Sequence, residues 1–149
     1  MRRLITITLP SCLALILCAG MAKAEITGEI DADIPFQFHV ANTTLPAGNY
    51  VFRMISGTDM RAMTVTGEDG KTAVEFLVGA SIAEKRPPHS VLVFKRYGHE
   101  EFLGKIFEGG SETGVEVAEP AREELRLQKK GMHPVVHSVE TGLKKVVPK

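Results

Sequence analysis

The residues with the most chemistry in this 149-residue chain sit side by side: Lys95-Arg96-Tyr97-Gly98-His99-Glu100-Glu101. A phenol beside a guanidinium offers an apolar face and a planar fork of donors. That combination recognises a sugar or a carboxylate. Arg53 is expected to approach from a neighbouring strand, so Arg53, Arg96, Tyr97 and His99 form the candidate binding set. The plainer reading is that Arg96 pairs with Glu101 and Tyr97 covers the edge of the core. Glu100 and Glu101 then make ordinary solvated pairs.

Other chemistries find less material. His133 and His137 have the H-x3-H spacing that places two imidazoles on one helix face, as in zinc sites. Pro134 follows the first of them and no carboxylate-rich scaffold is near, so no metal and no other cofactor is expected. Ser56, Ser81, Ser90, Ser111 and Ser138 all lie outside a G-x-S-x-G elbow. The expectation is therefore not an enzyme. Asn42-Thr43-Thr44 spells a glycosylation sequon by letter. The bacterial look of the export signal gives it little weight.

That signal occupies the first 24 residues. Arg2 and Arg3 precede an apolar run from Leu4 to Ala19, and Ala22 and Ala24 make an A-x-A exit. The run is shorter than the ~20 residues of a spanning helix and is broken by Pro10. Cleavage after Ala24 is the expectation, with no stable membrane insertion afterwards. Cys12 and Cys18 leave with the signal. Cys18 follows the bulky Leu17, which disfavours a lipid anchor. The remaining chain would have no disulfide and would depend on its core. Losing Arg2, Arg3 and Lys23 leaves 15 basic residues against 18 acidic, a net charge of −3. A nucleic-acid binder would show a basic excess, so no nucleic-acid partner is expected.

The elements that must position these residues are mostly strands. From Ile34 to Val40, Ile34, Phe36, Phe38 and Val40 alternate with Pro35, Gln37 and His39, which predicts a half-buried strand. Leu45-Pro46-Ala47-Gly48-Asn49-Tyr50 reads as a turn feeding a second strand, with Pro46 fixing φ and Gly48 supplying a positive φ. Strands are predicted near Met60–Thr66 and Thr72–Ala80, joined at Asp69-Gly70. Residues 90–108 predict a hairpin turning at Gly98-His99 in a type II′ turn. This pairs Arg96 with Glu101, Phe94 with Leu103 and Leu92 with Lys105 on one face. On the other it pairs Tyr97 with Glu100, Lys95 with Phe102 and Val91 with Ile106. Val115 to Ala118 predicts a last strand. Residues 119–131 predict a short helix with Pro120 in its first turn and Gly131 as its cap, its thin apolar face formed by Ala121, Leu125 and Gln128. Residues 132–149 show no firm pattern and are expected to form a flexible tail.

Three stretches, Ile34–Arg53, Leu92–Gly110 and Glu119–Glu124, together resemble a family of small exported bacterial proteins. Its members look like V-P-F-x-F-x-V, then L-P-A-G-x-Y, then F-x-R-Y-G-x-x-x-F-L, then an acidic-basic segment. Where members often carry Trp after the Ile matching Ile106, this chain has Phe107, and Ala121 stands where they often have Ser. The resemblance implies export and a β-rich domain, and it implies no activity. Leu45 to Tyr50 is also similar to the Leu-x-x-Gly-x-Tyr corner of prealbumin-like sandwich modules.

The expectation is thus all-β: a single antiparallel β-sandwich or barrel of about six to eight strands over residues 25–118, with one short C-terminal helix. It would be secreted or periplasmic and act as a binding or structural module of the cell envelope, with an envelope protein or glycan as partner. The alternatives are a hydrolase whose carboxylates converge in a cleft, and an assembly or adhesion subunit.

Overall fold

The computed structural model describes Ile26, residues 28–55 and residues 61–141. The expected signal segment, both cysteines, Ser56 and residues 142–149 lie outside these. The described residues include ten strands and one helix.

The first predicted strand is two. β1 (Ile30–Ile34) ends before Pro35, and β2 (Phe38–Val40) begins three residues later. Pro35 has no N–H to give a ladder, so the chain crosses there from one part of the sheet to another. The alternation survives the crossing: Ile34, Phe38 and Val40 are all buried, and Phe36 packs edge-on against Phe94 at 5.1 Å. β2 then turns back through Ala41 and Asn42 into β3 (Thr43–Leu45). The left-handed residue is Ala41, at φ 48°, and not Gly48. A connection of only two residues requires positive φ; Gly48 simply opens β4 (Gly48–Met54).

The bend between β3 and β4 is fastened by its own tyrosine. Tyr50 is buried, and its hydroxyl donates to the carbonyl of Pro46 at 2.7 Å. This is the bond of a tyrosine corner, which pins a chain reversal to the strand that follows it. Burial, and then the charge of Asp69, push the Tyr50 phenol above its ordinary 10.0. Asp69 lies in the turn between β5 (Ala62–Gly67) and β6 (Ala73–Ile82), where Gly70 takes φ 65°. The backbone N–H groups of Thr72 and Lys71 donate to its carboxylate and hold it below its usual 3.8.

The hairpin of β7 (Val91–Tyr97) and β8 (Glu100–Phe107) has the predicted register near its tip. Tyr97 faces Glu100, Arg96 faces Glu101, Lys95 faces Phe102 and Phe94 faces Leu103. Gly98 is left-handed at φ 64° and His99 is not, as a type II′ turn requires. Beyond Phe94 the register shifts by one, so Leu92 meets Ile106 and Val91 meets Phe107. The unpaired residue is Gly104. The bulge rescues the pattern: Leu92 and Ile106 enter the core together, and Lys105 moves to the outer face beside Val93.

β9 (Thr113–Val117) pairs β8 and β6, and α1 (Arg122–Lys129) follows. Pro120 stands just before the N-cap, Ala121, rather than inside the helix. At the other end Gly131 has φ 79°. Its N–H reaches Gln128 O at 2.9 Å, and Met132 N–H reaches Leu127 O at 3.2 Å. This is a Schellman cap. The inward face of α1 is Glu124 and Leu127 with Ala121, while Leu125 is 41 % exposed. Val135–Glu140 is not a tail but β10, paired antiparallel with β7 over six residue pairs.

The strands form one mixed sheet ordered β1-β4-β5-β6-β9-β8-β2-β3, with β7 and β10 continuing from the other side of β8. One contact is parallel, β2 to β8 at His39 and Phe102. β6 is shared: residues 73–77 pair β5 and residues 78–82 pair β9. Its buried residues run Phe76, Val78, then Ser81, so the alternation slips one place at the handover. The sheet does not close. Its main core takes side chains from all of β1 to β9, from Ile30 to Val115. Among the described residues no helix is long and apolar enough to cross a membrane.

Candidate functional site

The four residues of the predicted binding set separate. Tyr97 is 2 % exposed and lies under α1. Arg96 points to the opposite face of β7, where its Nε is 4.0 Å from Glu101. His99 is exposed at the turn. Arg53 is on β4, whose neighbours are β1 and β5, and it pairs with Glu29. β7 has β8 and β10 as neighbours, so Arg53 is not on a strand next to the hairpin.

The two histidines of the H-x3-H spacing also part. His133 is exposed in the link after α1. His137 is on β10, with Nε2 2.7 Å from the buried Glu101 and its ring stacked on Phe94 at 5.9 Å. His137 and Glu101 thereby tie β10 across β7.

What the fold does build is a pocket of about 490 Å³ between the outer face of β7, β8 and β9 and the underside of α1. Val93 and Phe102 line it from that face, Leu103 and Val117 reach it from the main core, and Ala121 lines it from the helix side and Val136 from β10. Its volume is that of a site for a small organic molecule. Alternation places it there: on a strand, Lys95 and Tyr97 share the face opposite Phe94. The inner face fills the main core. The outer face of this hairpin holds a second small cluster of Tyr97, Phe102, Ala121 and Leu127.

The ionisable lining falls into two groups. At the roof, Glu124 is 2 % exposed. Its Oε1 accepts from Lys95 Nζ, from Gln128 Nε2 at 3.3 Å and from the Tyr97 hydroxyl at 3.4 Å. Gln128 also donates to the Tyr97 oxygen at 2.9 Å. Glu124 and Gln128 are one helical turn apart, which puts both over the same spot on the sheet. Burying a carboxyl group without partners is costly, and these hydrogen bonds offset that penalty. At the mouth, Lys105 Nζ and Glu116 Oε2 are 3.9 Å apart, with side chains 44 % and 47 % exposed. Glu119 lines the pocket with no hydrogen bond or ion pair among the described residues.

His39 closes one end. Its ring stacks on Phe102 at 4.6 Å with an interplanar angle of 17°. Nε2 lies 2.6 Å from Glu100 Oε2 and Nδ1 lies 3.0 Å from Thr44 Oγ1. The chain Glu100–His39–Thr44 joins β8, β2 and β3, which meet at this point. Sequence reasoning did not pick out His39, Lys95, Glu116, Glu119, Glu124 or Gln128 as site residues. The available signal was the i, i+4 pair Glu124 and Gln128 on the same short helix as Ala121.

No family model, curated protein or solved structure matches this chain.

Proposed function

We propose that this protein is an exported β-domain, a sandwich left open along one side, that binds a small amphipathic molecule in the pocket beneath α1. It would serve as a binding module of the cell envelope. The observation that carries this reading is the pocket itself: a preformed cavity of about 490 Å³ with an apolar floor and charged residues at roof and mouth. Ligand sites have this composition, many apolar contacts and a few placed polar groups. The resemblance to small exported bacterial proteins and the apparatus of Arg2, Arg3 and the A-x-A exit support export.

A hydrolase has one observation in its favour, since Glu116, Glu119 and Glu124 all line the pocket. Glu124 is held by Lys95, Tyr97 and Gln128, so it is engaged as an acceptor and poorly placed to shuttle a proton. Binding is therefore the preferred reading.

The test is an NMR screen of small amphipathic molecules against the labelled protein and its Val93→Trp variant. Val93 lines the cavity and is outside the main core, so an indole there fills the space. The proposal expects hits that shift amides of β7, β8 and α1 and that vanish in the variant. Hits that persist in a folded Val93→Trp protein, or no hits at all, would sink it.

A further inference from the structure

We infer that the pocket selects an amphipathic cation, with its apolar body on the floor and its positive group at the mouth between Glu116 and Glu119. This rests on the pocket being a binding site, and it adds the charge of the ligand.

The lining carries Lys95 and Lys105 against Glu116, Glu119 and Glu124. Lys95 is already matched, because the deeply buried Glu124 accepts from its ammonium. That pair contributes little field at the mouth. Lys105 and Glu116 stand 3.9 Å apart, both nearly half exposed. At such separation and exposure the attraction is weak and water-screened. Glu116 therefore keeps acceptor capacity for another cation. Glu119 has no partner among the described residues. One carboxylate is left over, and a second is only half used.

An anionic head would find only Lys105 at the mouth, outnumbered there by Glu116 and Glu119, and two other sources are weakened. The N-terminal end of α1 favours anions in general, but there the Arg122 N–H donates to Asn42 Oδ1 at 2.9 Å and the first turn already carries the carboxylates of Glu123 and Glu124. The imidazole of His39 is engaged on both nitrogens, by Glu100 and Thr44. Recognition of the cation through a ring face is closed as well. Phe102 is 1 % exposed, with His39 stacked on it, so the carboxylates must do the selecting.

The experiment compares three probes that share a decyl tail: decyltrimethylammonium, decyl sulfate and decyl maltoside. Each is titrated by calorimetry below its micelle-forming concentration, with amide shifts recorded in parallel. The cation should bind about fivefold more tightly than the maltoside, the size of one or two rim ion pairs, and the sulfate most weakly. Added salt should erase the preference. Glu119→Gln, at an exposed position, should weaken the cation about threefold and leave the maltoside unchanged. Equal binding of all three at the pocket, or tighter binding of the sulfate, would overturn the charge assignment and leave the pocket reading standing. If none of the three shifts pocket amides, both readings fall together.

Discussion

Asn42 caps a helix 80 residues away: its Oδ1 accepts the backbone N–H of Arg122 at 2.9 Å. The N-cap residue itself, Ala121, has no side chain that could do this. The β2–β3 turn thus supplies what the local sequence omits, and it joins the roof of the pocket to the rest of the sheet. Asn42→Ala should lower the free energy of unfolding by about 1 kcal/mol, the usual value of an N-cap. Asn42→Asp keeps the acceptor and should cost much less. Urea unfolding of the three proteins checks this. Equal stability of all three would mean the cap contributes nothing.

Lys95 and Glu124 are coupled in an asymmetric way. Glu124 is nearly inaccessible and Lys95 is about one third exposed. Lys95→Met strands a carboxylate in the roof and should cost about 3 kcal/mol. The double variant Lys95→Met with Glu124→Leu removes both charges and should recover most of that loss. A double-mutant cycle from chemical denaturation reads the coupling. Additive losses would show that the pair is not a unit.

Two groups predict pH dependence at opposite ends of the scale. Asp69 titrates below 3.8 in the fold, so its contribution to stability is present above 3.8 and is lost as pH falls below it. Asp69→Asn should flatten that part of the acid limb. Tyr50 titrates above 10.0, so its contribution is present below 10.0 and is lost as pH rises past it. Because the Asp69 charge adds to this shift, Asp69→Asn should also bring the Tyr50 phenol back toward 10.0. Carbon chemical shifts of the Tyr50 ring across the alkaline range measure it. An unmoved titration in Asp69→Asn would mean burial alone is responsible.

Gly114 is required by space. A Cβ there would lie 2.4 Å from Ile106 O and 2.4 Å from the Phe107 ring. The first of these is backbone and cannot swing aside. Gly114→Ala should therefore destabilise by about 3 kcal/mol through separation of β8 from β9. Thermal unfolding decides it, with Gly110→Ala as a comparison whose Cβ meets nothing within 4 Å but whose φ of 80° strains any side chain.

The tip of the β7–β8 hairpin was legible because its forces are local. Gly98 admits the turn, and Arg96–Glu101 and Phe94–Leu103 then pair within a few residues of it. The Gly131 cap was legible for the same reason, since its two bonds close within six residues of chain. Four residues further from the tip, local reasoning placed Lys105 opposite Leu92. The bulge overrules it, since burying an ammonium is costlier than leaving one residue unpaired.

The sequence by itself determined a strand-rich chain, the alternation that lines its core, the position of the helix and the turns at Asp69-Gly70 and Gly98-His99. Tertiary structure alone decided the rest. β10 exists because β7 offers it an edge, and its own residues are mostly exposed. Glu124 rather than Leu125 turns inward because Lys95, Tyr97 and Gln128 meet it there. The pocket needs β7, β8, β9, α1 and the β2–β3 turn at once. Those contacts join residues distant in the chain, and side-chain alternation marks which face of a strand is buried but not which partner covers it.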